Sequence, residues 1–101
     1  MDKLKPTYIL NEVKKLIKQK NYILTISSRQ TAHHIGFSEA EIIDTTSKLE
    51  AKNFYKSTTE FYKQKIWQDV YKPTAKGYFL YIKFKITKDK MRLIITSFKK
   101  A

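Results

Sequence analysis

The chain has 101 residues, 42% hydrophobic and 14% aromatic, which suits one compact domain with a buried core and is too apolar for wholesale disorder. Its 21 lysines and arginines outnumber 9 acids for a formal charge of +12, a one-signed field that favours polyanions: nucleic acid, an anionic membrane surface or an acidic protein. It has no cysteine, which excludes disulfides and thiolate-held metals.

The opening Met1-Asp2-Lys3-Leu4-Lys5 has no apolar h-region, and no apolar run approaches the ~20 residues of a membrane span, so a cytoplasmic protein with no membrane contact is expected. Residues 7–20 carry Leu10, Val13, Leu16 and Ile17 at helical spacing, with lysines between them, Pro6 near the start and Asn21 after the end. The pattern predicts an amphipathic helix. Its basic face suits RNA or a membrane surface, or is simply a solvated face over a core-facing stripe.

Residues 22–26 form a short β-prone run that suits an edge strand. Ser28 offers an N-cap for a short helix reaching Ile35, with Gly36 as the left-handed stop. Ser38 followed by Glu41 is a capping box, opening a helix that carries Ile42, Ile43, Thr46 and Leu49 inward.

From Phe54 the helical period gives way to alternation. Residues 54–61, 66–71, 78–87 and 91–98 read as four strands, with turns at Lys63-Gln64, at 73–77 and at Lys88-Asp89-Lys90. The expected fold is α+β, a mainly antiparallel sheet with about three N-terminal helices packed on it, forming a single domain over 1–101.

Alternation in the third strand puts Leu80, Ile82, Phe84 and Ile86 on one face and Phe79, Tyr81, Lys83 and Lys85 on the other. Rings among lysines suit single-stranded RNA, whose bases stack on aromatics while cations hold phosphates. An ordinary wet sheet face guarded by lysines against aggregation has the same pattern. Arg29 and Arg92 are the only arginines, so the other cations are lysines, point charges suited to backbone contact rather than to the bidentate reading of guanine. Solubilising lysines would look the same.

The two short helices flanking Gly36 suggest a helix-turn-helix, but the second carries Glu39, Glu41 and Asp44, which would repel the phosphates beside a DNA groove. His33-His34 invites a metal reading, yet adjacent helical residues diverge by about 100° and no further histidine or cysteine completes a site. The acids are scattered, which argues against a two-metal nuclease. RNA cleavage without metal needs a group to take the 2′-OH proton, cations for the phosphorane and a donor for the leaving 5′ oxygen. Lysines and tyrosines crowded together supply all three.

The blocks Phe54-Tyr55-Lys56-Ser57, Ile66-Trp67-Gln68-Asp69-Val70-Tyr71-Lys72-Pro73, Leu80-Tyr81-Ile82-Lys83 and Ser97-Phe98-Lys99, with Val13-Lys14-Lys15-Leu16 nearer the start, resemble the MqsR toxin family. The resemblance implies a RelE-like fold and a metal-free, cofactor-free messenger-RNA interferase that cuts free transcripts at short sequences. It also implies 2′-OH attack, leaving a 2′,3′-cyclic phosphate and a 5′-OH. The family's catalytic positions carry over to Lys56, Gln68, Tyr81 and Lys99, with Lys100 as the alternative to Lys99 because the loop after the third strand is longer here. Tyr81 would move protons, Lys56 and Lys99 hold the scissile phosphate and Gln68 orient it, with Tyr55, Lys72, Lys83 and Lys85 binding RNA around them. Trp67, Val70 and Tyr71 read as packing. Residues 58–65 also depart from the family. The implied partners are an mRNA substrate and a cognate antitoxin, a dimer that binds zinc and DNA, with the toxin monomeric when free. A non-catalytic RNA-binding module and a ribosome-dependent toxin remain alternatives on sequence.

Overall fold

Helical periodicity up to Ser47 and alternation after Phe54 both become structure in the computed structural model, which describes residues 1–59 and 66–101. In chain order the elements are β1 (Asp2–Lys3), α1 (Leu10–Lys18), β2 (Tyr22–Leu24), α2 (Ile26–His34), α3 (Glu39–Ser47) and a 3-10 turn (Ala51–Asn53). The strands β3 (Phe54–Thr59), β4 (Trp67–Tyr71), β5 (Thr74–Ala75), β6 (Tyr78–Ile86) and β7 (Leu93–Lys100) follow. The sheet runs β1-β3-β4-β6-β7-β2, with β5 folded back on β6. Every pairing is antiparallel except β2 with β7. This is the expected α+β arrangement. The expected strand end at Phe61 and the Lys63-Gln64 turn lie outside the described residues.

The helix α1 starts later than its pattern suggests because the backbone of Thr7 and Tyr8 is used elsewhere. The Thr7 N–H donates to both carboxylate oxygens of Asp69 (3.0 Å each) and the Tyr8 N–H to one of them (2.9 Å). The helix ends where Lys20 takes φ 61°, with Lys20 N–H bonded to Ile17 and Asn21 N–H to Leu16 carbonyls (3.0 and 2.9 Å), a left-handed cap on a non-glycine residue.

Thr25, not Ser28, caps α2: its hydroxyl accepts from the Ser28 N–H (3.1 Å), and Ser28 is buried in the first turn with its own hydroxyl donating back to the Thr25 carbonyl (2.9 Å). Turning into the cap shortens β2 to Tyr22–Leu24. The chain stays on the edge of β7, where Thr25 N–H donates to Ile95 (3.1 Å) and the Thr31 hydroxyl to the Phe98 carbonyl (2.6 Å). So α2 supplies donors to the β7 edge that β2 no longer reaches.

The Ser38–Glu41 capping box is present in both directions. Glu41 is also bonded by the Lys76 ammonium at 2.9 Å. The Ser38 N–H, and then Lys76, lower the Glu41 carboxyl from its ordinary 4.5 to about 2. A depressed carboxyl contributes stability that is whole above its unfolded value and lost as pH falls through the folded one. Urea midpoints of wild type and Glu41→Gln are therefore expected to differ near neutrality and converge between pH 4.5 and about 2.

The expected turn at 73–77 contains a strand: Thr74 and Ala75 pair with Phe79 and Tyr78 across Lys76-Gly77, both at positive φ (52° and 80°), a two-residue hairpin matched to strand twist. Val13, Ile42, Leu80, Ile82, Phe84, Leu93, Ile95 and Phe98 are fully buried in one core between helices and sheet. The inward face of β6 is the one alternation predicted. Among the described residues no helix is long and apolar enough to cross a membrane.

Candidate active site

The side of the sheet away from the helices is where the chemistry-bearing residues gather. Lys56 on β3 pairs with Val70 on β4, which pairs with Lys83 on β6, which pairs with Ser97 on β7, so one row crosses four strands. Val70 is fully buried yet lies outside the helix-side core, which fits long flanking side chains closing over it. One row further along, Tyr81 pairs with Lys99.

Two lysines, Lys99 and Lys56, bear on that tyrosine, and a third, Lys72, covers the ring of Tyr55. The Lys99 ammonium lies 5.0 Å from the centre of the Tyr81 ring. The Lys56 ammonium lies 3.1 Å from the Asp2 carboxylate, and its titration feels both Tyr55 and Tyr81. Lys72 sits 3.7 Å over the Tyr55 ring, with Lys56 at 5.5 Å from the same ring. The Asp2 hydrogen bond, more than any other influence, raises the Lys56 pKa above its ordinary 10.5 despite partial burial, so at neutral pH Lys56 is an ammonium ion.

Lys99 and Lys100 point to opposite sides. Lys100 pairs with core-facing Leu80 and lies 5.8 Å over Tyr78, whose ring packs edge-on to Phe37 on the helix side. Lys99 alone of the two faces Tyr81.

Gln68 does not join them. One step beyond the Asp69–Phe84 pair it lies level with Lys85, four residues along β6 from Tyr81, about 13 Å in strand rise. Its side-chain Oε1 accepts a 2.5 Å hydrogen bond from the Thr96 hydroxyl, which also donates to the Lys83 backbone carbonyl at 3.2 Å. Thr96 is the extra residue of a β-bulge, lying between the Lys83–Ser97 and Phe84–Ile95 pairs. Alternation gave no hint of that bulge, so Thr96 escaped the sequence reading. Lys83 and Lys85 are half-buried along the same face.

The specific block 66–73 holds two roles that residue type alone did not separate. Tyr71 stacks on Phe84 at 5.5 Å and burial pushes its phenol up to about 12, Asp69 adding to the shift, so it is a core ring with its proton held. Asp69 is fully buried and accepts the Thr7 and Tyr8 N–H groups, while the Tyr8 hydroxyl donates to the Trp67 carbonyl at 2.6 Å. It ties the amino-terminal segment to the sheet, a role whose signal lay 61 and 62 residues away. Lys3 lies 4.2 Å over Trp67. His33 and His34 are exposed at the end of α2. Among the described residues no three His, Cys, Asp or Glu side chains gather as a metal site.

With this arrangement of an α+β sheet, the IWQDVYKP strand and the facing Tyr81 and Lys99, the sequence matches the family described as "Motility quorum-sensing regulator, toxin of MqsA" over residues 5–100. The chain belongs to this toxin family. One relative, the mRNA interferase toxin MqsR of Escherichia coli (strain K12), is 32% identical over 99 residues, 98% of each chain. The MqsR match thus spans the helices, the β4 block and the β7 lysines together.

Proposed function

We propose that this chain is an endoribonuclease toxin that cuts mRNA at short sequences without metal or ribosome and is neutralised by a cognate antitoxin, residues 1–101 acting as one interferase domain. The observation that carries the reading is the convergence of Lys56 and Lys99 on Tyr81 at the open face, in a chain whose relative is named an mRNA interferase. In this mechanism the Tyr81 hydroxyl relays a proton, accepting that of the 2′-OH as it gives its own to the 5′ oxygen, while the 2′ oxygen bonds to phosphorus and the bond from phosphorus to the 5′ oxygen breaks. The products are a 2′,3′-cyclic phosphate and a 5′-OH, with no water consumed. The ammonium groups of Lys56 and Lys99 offset the charge that builds on the phosphate oxygens. The raised Lys56 pKa suits that task and not proton abstraction.

Gln68, held by Thr96 away from Tyr81, suits contact with a neighbouring nucleotide: its oxygen is engaged, so it offers N–H donors. Tyr55, Lys72, Lys83 and Lys85 extend the cationic, aromatic track along which the strand lies. The antitoxin, by the family's description, is of the MqsA kind, and an acidic surface on it would complement the charge of +12.

The deciding experiment is digestion of a defined naked RNA by purified protein in EDTA, with analysis of the new ends. Cyclic-phosphate fragments are expected; binding without cutting, or cutting only when ribosomes are added, would overturn the reading. In the same assay Lys99→Ala is expected to lower kcat/KM by about 10²-fold, the scale of losing one transition-state charge contact. Lys100→Ala, on the other side of the sheet, is expected to stay within about threefold, as for a surface change of roughly 0.5 kcal/mol. Equal losses for the two lysines would remove the distinction drawn from their facing.

A further inference from the structure

We propose that Phe79 is a base-stacking platform, its exposed ring taking the nucleobase beside the scissile phosphate of single-stranded RNA and so helping to select the sequence cut. The inference rests on the endoribonuclease reading and extends its site by one residue that carries no charge and no acid–base chemistry.

A single exposed apolar side chain is ordinary on a protein surface. The position of this one is not. Among the described residues the exposed large apolar side chains are aliphatic except for two rings, Tyr55 at 45% and Phe79 at 57% exposure. Both border the open face next to Tyr81. Tyr55 is the extra residue of the bulge between Phe54 and Lys56, its ring under the Lys72 ammonium. Phe79 precedes Tyr81 by two residues on the same side of β6, about 6–7 Å away along the strand. The intervening and following residues Leu80 and Ile82 are fully buried on the helix side, which fixes Phe79 outward.

The surroundings specify the occupant. Lys99 stands beside Tyr81 and Lys72 beside Tyr55, so Phe79 ends a row in which a strand's phosphates find cations and the next ring finds a flat, apolar partner. An unstacked nucleobase attached to a phosphate satisfies both demands at once. A phenyl ring offers no hydrogen bond, so preference among bases would come from stacking strength and the space beside the ring, not from edge reading. Phe79 also leads out of the β5–β6 hairpin, where Thr74 pairs with it, so the platform is mounted on a tight turn and not on a loose loop.

The test uses a short RNA methylated at every 2′ oxygen, which cannot be cut by 2′-OH attack, carrying an abasic site at each position in turn. Binding is followed by fluorescence anisotropy. For wild type, one position is expected to weaken binding by about 5–100-fold when its base is missing, the scale of one base–aromatic stack. For Phe79→Ala that position should fall silent and intact RNA should bind as weakly as the abasic one, while Phe79→Trp restores the sensitivity. An abasic profile identical in wild type and Phe79→Ala overturns the proposal. So does an unchanged profile accompanied by weaker antitoxin binding, which would assign the ring to a protein interface. Cleavage of unmodified RNA by wild type is scored alongside: its failure would remove the endoribonuclease reading and leave the stacking result standing by itself.

Discussion

Replacing Tyr81 by Phe is expected to lower the cleavage rate by about 10²–10⁴-fold, the contribution of a well-placed acid–base group, with fold and RNA affinity retained. The substitution removes one oxygen from a half-buried ring. The ring itself remains to hold the Lys99 ammonium at about its 5.0 Å stand-off, so the electrostatic setting of the phosphate changes little. The loss should therefore fall on kcat, with KM nearly unchanged, because a hydroxyl that only moves a proton in the transition state contributes nothing to ground-state binding. Lys56→Ala makes the contrast. It removes a cation that meets RNA in both ground and transition states, so KM should rise as kcat falls, and the salt dependence of binding should become shallower by about one phosphate contact. Steady-state kinetics on a defined RNA at two salt concentrations separates the two patterns. A Tyr81→Phe enzyme that cuts at the wild-type rate would move the proton transfer to another group. That group would not be Lys56, whose proton the Asp2 carboxylate helps to hold, nor Tyr71, whose phenol is pushed up to about 12.

The face that carries Tyr81 was legible because β6 alternates without interruption over Tyr78–Ile86. The choice between Lys99 and Lys100 was not. Leu93 and Ile95 are both buried, and simple alternation from them would turn Ser97 and Lys99 toward the helices and Lys100 outward. The bulge at Thr96 resets the count, so that Phe98 is buried, Lys100 follows Leu80 to the helix side and Lys99 emerges beside Tyr81. One inserted residue reverses every side chain beyond it, and nothing local in Ile95-Thr96-Ser97 announces the insertion. The cap of α2 was ambiguous for a related reason: Thr25 and Ser28 are both good cap residues, and only the hydrogen bonds of Thr25 to β7 decide between them. The strands β1 and β5, two residues each, are too short for any period to show. The turn at Lys88-Asp89-Lys90 and the capping box that opens α3 needed only neighbours in sequence, and each is found where local chemistry put it.

Asp69 stands between the residues of the most distinctive block, and a carboxylate in such a place invites a catalytic role. Its surroundings argue for a structural one, and the expected result is correspondingly different: Asp69→Asn should lose about 2–4 kcal/mol of stability while the molecules that remain folded keep cutting RNA. The fully buried carboxylate turns away from Tyr81, pairing with core-facing Phe84, and its oxygens receive the Thr7 and Tyr8 N–H groups at 2.9–3.0 Å. An amide keeps one acceptor but presents an N–H₂ to donors, leaving buried N–H groups without partners in a setting where water cannot substitute. The consequence spreads along the amino-terminal segment. The Thr7 hydroxyl is bonded to that of Ser57 at 2.8 Å and the Tyr8 hydroxyl donates to Trp67, so releasing the backbone between them frees the run that leads into α1. For a chain of this size the loss corresponds to a fall in Tm of roughly 10–25 °C, large against a total stability of about 5–15 kcal/mol. Thermal unfolding followed by circular dichroism, with cleavage assayed well below the lowered midpoint, reads both halves of the expectation. A Tm equal to wild type together with abolished cleavage would transfer Asp69 to the chemistry. The expected pairing, a lowered midpoint with cleavage per folded molecule preserved, would mean that the block's specificity reflects two demands on one strand: Gln68 and Val70 facing the RNA side, Asp69 and Tyr71 holding the amino terminus and the core.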